Sequence, residues 1–209
     1  MNILLADDHS IVRRGLKEIL LEEFPTANFE EVADGQELVR KIRQSKFDII
    51  ISDVSMPIKN GLEALKIIKS EFPSLPVLIL SIHPEEIYAI RVLKAGASGY
   101  MTKESATEEL VQAVRTIMNG RKYITSSLAE KMASNLDYDI KKHPHELLSD
   151  RELDVMKMIA SGKTVSDIAA QLSLSVNTIS TYRARVMDKM KLKSNSELTF
   201  YAISNNLIL

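Results

Sequence analysis

Residues 47–61 read FDIIISDVSMPIKNG. Three β-branched residues, Ile49, Ile50 and Ile51, follow Asp48 with no polar position between them. A strand of that kind belongs in the middle of a parallel sheet, where both faces are covered. The run stops at Ser52-Asp53, and Met56-Pro57 and Asn60-Gly61 then mark a turn. Open α/β sheets place their chemistry at the C-terminal ends of such strands, so Asp53 is a candidate reactive carboxylate. An aspartate also starts many turns for local reasons, and this stretch alone leaves both roles open.

The same alternation extends through residues 1–118. Apolar runs stand at 3–6, 29–33, 49–52, 77–81 and 98–101, and segments of helical period fill 10–23, 35–44, 61–71, 84–95 and 105–118. Asp34 with Glu37, and Ser105 with Glu108, read as N-caps with capping-box partners, while Gly96 and Gly120 read as helix stops. Five strand–helix repeats predict an α/β domain over 1–120: a flavodoxin-like, doubly wound five-stranded parallel sheet.

In the strand order 2-1-3-4-5, strands one and three are neighbours at the switch point. Asp7 and Asp8, which follow 3–6, then share a crevice with Asp53. Three carboxylates repel one another, and a proton or cation has to neutralise them. Oxygen donors with no cysteine and no ordered histidine constellation fit Mg2+. Ser81 and Lys103 end strands four and five at the same rim. A hydroxyl and a cation beside carboxylates make a site able to receive a phosphoryl group.

Composition sets no obstacle. The 209 residues, 45% hydrophobic and 26% charged, suffice for one large or two small domains with a real core. There is no cysteine, which excludes disulfide frameworks and thiolate metal sites. With no signal-peptide pattern and no apolar run long enough for a bilayer, a cytoplasmic protein without membrane contact is expected. The net charge of -1 divides unevenly: residues 149–209 carry eight Lys/Arg and six Asp/Glu, residues 1–148 carry 19 and 22. That asymmetry is only a weak pointer to an anion-binding C-terminal part.

Residues 121–145 read as a linker, with a short helix expected at 127–136. His143 and His145 flank a proline without the spacing of metal ligands and read as solvated linker. The last domain is placed at 146–209, and from Ser149 only helical signals remain. Ser149-Asp150-Arg151-Glu152 is a capping box, and helices are expected at 152–161, 165–172, 176–191 and 194–205. Two helices joined by the short turn Ser173-Leu174-Ser175 fit a helix-turn-helix domain that binds double-stranded DNA. On the third helix Ile179, Val186 and Met190 form a core stripe with Tyr182 alongside. Opposite lie Asn177, Ser180, Thr181, Ala184, Arg185 and Asp188. Short polar groups near its start suit base edges, and Arg183, Arg185, Lys189 and Lys191 suit phosphates.

Together these motifs resemble a known family. Leu5-Ala6-Asp7-Asp8-His9, Ser52-Asp53-Val54-Ser55-Met56-Pro57, Leu80-Ser81 and the run from Gly96 through Tyr100 to Lys103 resemble the CheY-like receiver domain of two-component response regulators. The resemblance implies that Asp53 accepts a phosphoryl group from a sensor histidine kinase. It also implies that Asp8, Asp53 and the Ser55 carbonyl hold Mg2+ with Asp7 acting through water, that Ser81 and Tyr100 are the switch, and that Lys103 contacts the phosphoryl oxygens. Ser55 and His83 stand where the family tunes phosphate loss. Leu148 through Glu152, Ile159 through Gly162, Asp167-Ile168-Ala169, Thr178-Ile179 and Lys189-Met190 resemble the LuxR/NarL-type effector domain. That likeness implies DNA contacts from Asn177, Thr178, Ser180, Thr181 and Ala184, and phosphate contacts from Arg183, Arg185 and Lys189. It further implies a homodimer through the last helix, with Leu198, Tyr201 and Ala202 on the contact side; the alternative for that side is plain domain core.

The function expected is a phosphorylation-dependent transcription regulator, with no enzyme activity beyond transfer to and hydrolysis from Asp53. A competing class is a Mg2+-dependent phosphohydrolase. The haloacid dehalogenase type has Asp-x-Asp after its first strand, however, and here Asp7 and Asp8 are adjacent with no cap segment evident. A regulator of the same fold that works without phosphate is the third reading, and the intact Asp7/Asp8/Asp53/Ser81/Lys103 set argues against it.

Overall fold

The computed structural model describes residues 1–82, 85–126, 128–130, 143–205 and 207–208. It divides into two compact units, Met1–Asp137 and Tyr138–Leu209.

In the first unit β1 (Asn2–Ala6), β2 (Asn28–Val32), β3 (Ile49–Asp53), β4 (Val77–Ser81) and β5 (Gly99–Thr102) form one sheet. Their order is β2-β1-β3-β4-β5 and every pair is parallel. The helices are α1 (Ser10–Glu23), α2 (Gly35–Gln44), α3 (Gly61–Glu71), α4 (Glu85–Lys94) and α5 (Ala106–Met118). β3 and β4 are buried along their whole length, which is why their sequences show no alternation. On one face Ile3, Leu5, Ile51 and Leu80 pack with Leu16 and Leu20 of α1 and Leu110 and Val114 of α5. Leu4, Ile50, Ile79 and Tyr100, one residue out of phase, are buried on the other face. Full burial of each such side chain contributes about 1.5–3 kcal/mol relative to exposure.

The expected cap at Asp34 forms, its carboxylate accepting N–H groups of Gln36 and Glu37 at 2.8 and 2.7 Å. The one at Ser105 does not. Ser105 is already helical (φ -77°, ψ -12°), so its hydroxyl cannot reach forward to a free N–H and donates to the Thr102 carbonyl instead, at 3.2 Å. After α5 the chain returns to the edge of β5, where Tyr123 N–H donates to Ser98 O at 2.8 Å. The Tyr123 hydroxyl donates to Glu109 at 2.6 Å. Gly99 makes this approach possible, since a Cβ there would lie 2.9 Å from Tyr123 O and 3.0 Å from Leu78. The segment blunts a sheet edge that would otherwise be open. Residues 128–130 are helical. The rest of the helix expected at 127–136, and Lys141-Lys142 of the linker, lie outside the described residues, as does His83.

The second unit is helical: a 3-10 turn (Pro144–Leu147), then α6 (Asp150–Ala160), α7 (Val165–Leu172), α8 (Val176–Met190) and α9 (Asn195–Ser204). The Ser149/Glu152 capping box forms, and Thr164 with Asp167 makes a second one. Ser173 adopts φ 54° and turns the chain from α7 into α8. Leu153, Met156, Ile168, Ile179, Val186 and Leu198 are buried together with the helix contacts of α6 to α8 and α9.

Two expectations for this unit are corrected. His145 is not solvated linker: its Nδ1 lies 2.9 Å from the Tyr201 hydroxyl, and the rings meet edge-on at 5.9 Å. Leu198 and Ala202 do not face outward either. Both are wholly buried in the unit's own core, and the exposed side of α9 carries Phe200 and Ile203, 75% and 56% exposed. Among the described residues, no helix is long and apolar enough to cross a membrane.

Candidate functional site

The strand register assembles the acidic site. Ala6 pairs with Ser52 and Asp53 with Leu80, so Asp7, the first residue past β1, stands level with Asp53 at the end of β3. Ser81 ends β4 opposite Thr102, and the next residue, Lys103, donates its N–H to Ser81 O at 2.8 Å. Four residues far apart in sequence therefore meet at one end of the sheet.

Asp7 is buried and held from several directions. Its N–H donates to Val32 O at 3.2 Å, and its Oδ1 accepts the His9 N–H at 2.8 Å. Its carbonyl accepts a hydrogen bond from Arg13 Nη1 at 2.6 Å, and Arg13 Nε in turn donates to Glu31 at 3.1 Å. Lys103 Nζ lies 2.6 Å from Asp7 Oδ2 and 2.7 Å from Asp53 Oδ2. Asp53 is 2% exposed, and among the described residues its Oδ1 accepts no hydrogen bond. Burial pushes the Asp53 carboxyl up to about 6; Lys103 opposes that shift and Asp7 adds to it. Burial pulls Lys103 down, but the two carboxylates outweigh it and hold the ammonium above its ordinary value.

Asp8 sits at the exposed rim, its Oδ1 2.7 Å from His9 Nδ1. One ligand atom from each of Asp7, Asp8, His9 and Asp53 lies within 4.8 Å of the others. Three carboxylates against one lysine, with a buried oxygen left unengaged, fit a hard divalent cation. Asp7, Asp53, Ser81 and Lys103 are thus brought together as expected, with Asp8 beside them. Ser81 and Tyr100 are wholly buried, and Ser55 lies in the exposed turn after β3.

Two contributors escaped the sequence reading. Arg13 fixes the main chain of Asp7, and nothing sets it apart from Arg14 in a helical segment. Gly61 was read as a turn residue and the start of a helical segment, yet a Cβ there would collide with the Asp53 carbonyl, so the loop after the acceptor can close only over glycine. Within that loop Ile58 takes φ 63°, a conformation costly for a β-branched residue.

In the second unit, α8 starts at Ser175, whose Oγ accepts the Thr178 N–H at 3.1 Å. Ile179, Val186 and Met190 face the core as expected. Asn177, Ser180, Thr181, Ala184 and Arg185 are exposed, and their spacing places them on one face. A shallow depression there is lined by Asn177, Thr178, Thr181, Tyr182 and Arg185. The remaining candidates have partners inside the unit. The Thr178 hydroxyl lies 2.8 Å from Ser175 Oγ, Arg183 Nε donates to Asn195 at 2.9 Å, and Lys189 Nζ pairs with buried Glu152 at 2.6 Å.

Comparison with known proteins agrees with both halves of this description. Residues 3–115 match the response regulator receiver domain, and residues 146–202 match bacterial regulatory proteins of the luxR family. The response regulator UvrY of Escherichia coli K12 is 36% identical over 208 residues, covering 99% of this chain and 95% of UvrY. The oxygen regulatory protein NreC of Staphylococcus carnosus is 37% identical over 215 residues, covering 100% and 99%. RcsB from Salmonella enterica serovar Typhimurium, solved bound to a promoter in the presence of phosphomimetic BeF3-, superposes with a TM-score of 0.66. It is 28% identical, with 98% of this chain and 99% of RcsB covered.

Proposed function

The chain belongs to the response regulators that join a receiver domain to a LuxR-type DNA-binding domain, and from that premise we propose that a phosphoryl group on Asp53 governs how it binds promoter DNA. The observation that carries this reading is the position of Lys103 between Asp53 and Asp7, with Asp53 Oδ1 left buried and unengaged among the described residues.

Asp53 is the nucleophile. Its carboxylate forms an O–P bond as the P–N bond of a phosphohistidine on a sensor kinase breaks. Such a transition state needs alignment and charge neutralisation more than covalent help. Lys103 neutralises phosphoryl oxygens from one side. Asp8, Asp53 and the Ser55 carbonyl would hold Mg2+, with Asp7 acting through water, and the bound ion would supply further charge neutralisation for the phosphoryl oxygens. The acyl phosphate adds charge and acceptors beside the Ser81 hydroxyl. Ser81 and then Tyr100 pass that change to β5 and α4. Hydrolysis of the acyl phosphate by water resets the site without another enzyme.

The output lies on α8. Asn177, Ser180, Thr181 and Ala184 face base edges, and Arg185 holds phosphate. Thr178, Arg183 and Lys189 support the helix through Ser175, Asn195 and Glu152, with any DNA contact secondary to that. Two copies pair through the Phe200/Ile203 side of α9 and read paired half-sites, in the cytoplasm. RcsB, solved bound to promoter DNA in the presence of phosphomimetic BeF3-, shows a relative of this architecture on DNA with the mimic present, which is in keeping with the reading.

The test is incubation with acetyl phosphate and Mg2+, followed by intact-mass measurement. The wild type gains the mass of one phosphoryl group and Asp53→Asn does not. No gain on the wild type overturns the proposal.

A further inference from the structure

His9 is the member of the acidic pocket that phosphoryl transfer leaves unused. It is the N-cap residue of α1, yet its side chain makes no cap hydrogen bond. The ring turns instead toward the carboxylates, with Nδ1 2.7 Å from Asp8 Oδ1 and 3.3 Å from Asp7 Oδ1.

Those spacings have a simple chemical meaning. Around an octahedral ion with bonds of about 2.1 Å, neighbouring donors stand about 3 Å apart and opposite donors about 4.2 Å. Ligand atoms of Asp7, Asp8, His9 and Asp53 lie within 4.8 Å of one another, so small shifts bring those of Asp8, His9 and Asp53 around one centre and leave Asp7 to act through water. A separate observation also points to an ion: Asp53 Oδ1, on a side chain 2% exposed, accepts no hydrogen bond among the described residues. Without an ion, the 2.7 Å contact of His9 to Asp8 is a hydrogen bond donated by Nδ1; a cation would take the place of that proton, and with the ring proton on Nε2 the Nδ1 lone pair would face the same centre.

Magnesium gives up water reluctantly and gains little from imidazole. Manganese and the later first-row ions accept mixed nitrogen and oxygen donors more readily. We infer that His9 is a nitrogen ligand of the receiver's cation site and biases that site from Mg2+ toward Mn2+ and the later first-row divalent ions. The inference rests on the proposed reading that Asp8 and Asp53 hold a divalent cation.

Full-length protein loaded with Mn2+ and examined by pulsed electron paramagnetic resonance tests it directly. Bound Mn2+ is expected to show nitrogen-14 modulation from one imidazole, and His9→Ala abolishes the modulation. In competition titrations His9→Ala lowers Mn2+ affinity about tenfold and Mg2+ affinity by less than about twofold. His9 is exposed and makes no cap bond, so circular dichroism of the variant is expected to match the wild type. Mn2+ bound at a site lost in Asp53→Asn, but without nitrogen modulation, overturns the role of His9 and leaves the cation site standing. Failure of Mn2+ and Mg2+ to bind at all overturns both.

Discussion

Lys103 Nζ lies 2.7 Å from Asp53 Oδ2, and this pairing engages one oxygen of the acceptor while the other is buried without a hydrogen bond among the described residues. The lysine thus does two things at once. It makes a buried carboxylate tolerable, and it places a positive charge where phosphoryl oxygens will arrive.

Replacing that charge separates the two roles. Lys103→Met keeps most of the volume and leaves Asp7 and Asp53 without their shared partner. Phosphorylation by acetyl phosphate is expected to slow about 100-fold, the scale of losing one preorganised charge donor. Mg2+ affinity moves the opposite way and rises, because a competing cation has left the pocket. Stopped-flow phosphorylation and calorimetric Mg2+ titration check the two directions.

Asp53 also makes stability depend on pH. Its carboxyl is pushed from 3.8 up to about 6, so between those values the folded chain binds more protons than the unfolded one. The stability from the protonated group is fully present below about pH 3.8 and is lost as pH rises through about 6. Asp53→Asn escapes the loss. In EDTA the variant is expected to be more stable than the wild type at pH 8, by on the order of 2–3 kcal/mol, with the gap closing toward pH 4. Urea denaturation at the two pH values measures it.

On α8 two basic residues are expected to fail in different ways. Arg185 is exposed, and Arg185→Ala weakens binding to all duplexes about equally and lowers the salt slope of affinity by about one. Lys189 pairs with buried Glu152. Burial pushes that carboxyl up, but hydrogen bonds from Lys189 and Ser149 outweigh it and hold it low. Lys189→Ala therefore destabilises the unit, by about 1–3 kcal/mol, by leaving Glu152 short of a partner. Thermal melts and salt-dependent binding curves distinguish the two.

Phe200 is 75% exposed, beside Ile203 on the outer side of α9. Phe200→Glu is expected to leave the melting temperature nearly unchanged while preventing two copies from occupying a paired half-site. Sedimentation on DNA reads the stoichiometry. Loss of dimers in Leu198→Ala is not diagnostic, because Leu198 belongs to the core.

Much of this was legible in the chain itself. Helices 10–23, 35–44 and 61–71 run end to end as their apolar period predicts, because each covers a sheet whose strands are buried. The convergence of Asp7, Asp53, Ser81 and Lys103 follows from strand order alone. What remained hidden depends on tertiary contacts. The pairing of His145 with Tyr201 spans 56 positions, and that of Lys189 with Glu152 spans 37. No local pattern announces either. Ser105 misled because a capping motif states which bonds are available, and the Thr102 carbonyl offered another.

The link from Asp53 to α8 is tested most directly by DNA affinity with and without BeF3- and Mg2+, on a duplex selected from a random pool. Wild-type protein is expected to bind at least about tenfold more tightly with the phosphoryl mimic, a coupling of about 1.4 kcal/mol. Asp53→Asn is expected to bind equally in both conditions. Equal affinity of the wild type with and without BeF3-, under conditions where the mimic is shown to occupy the receiver, contradicts control of DNA binding by Asp53.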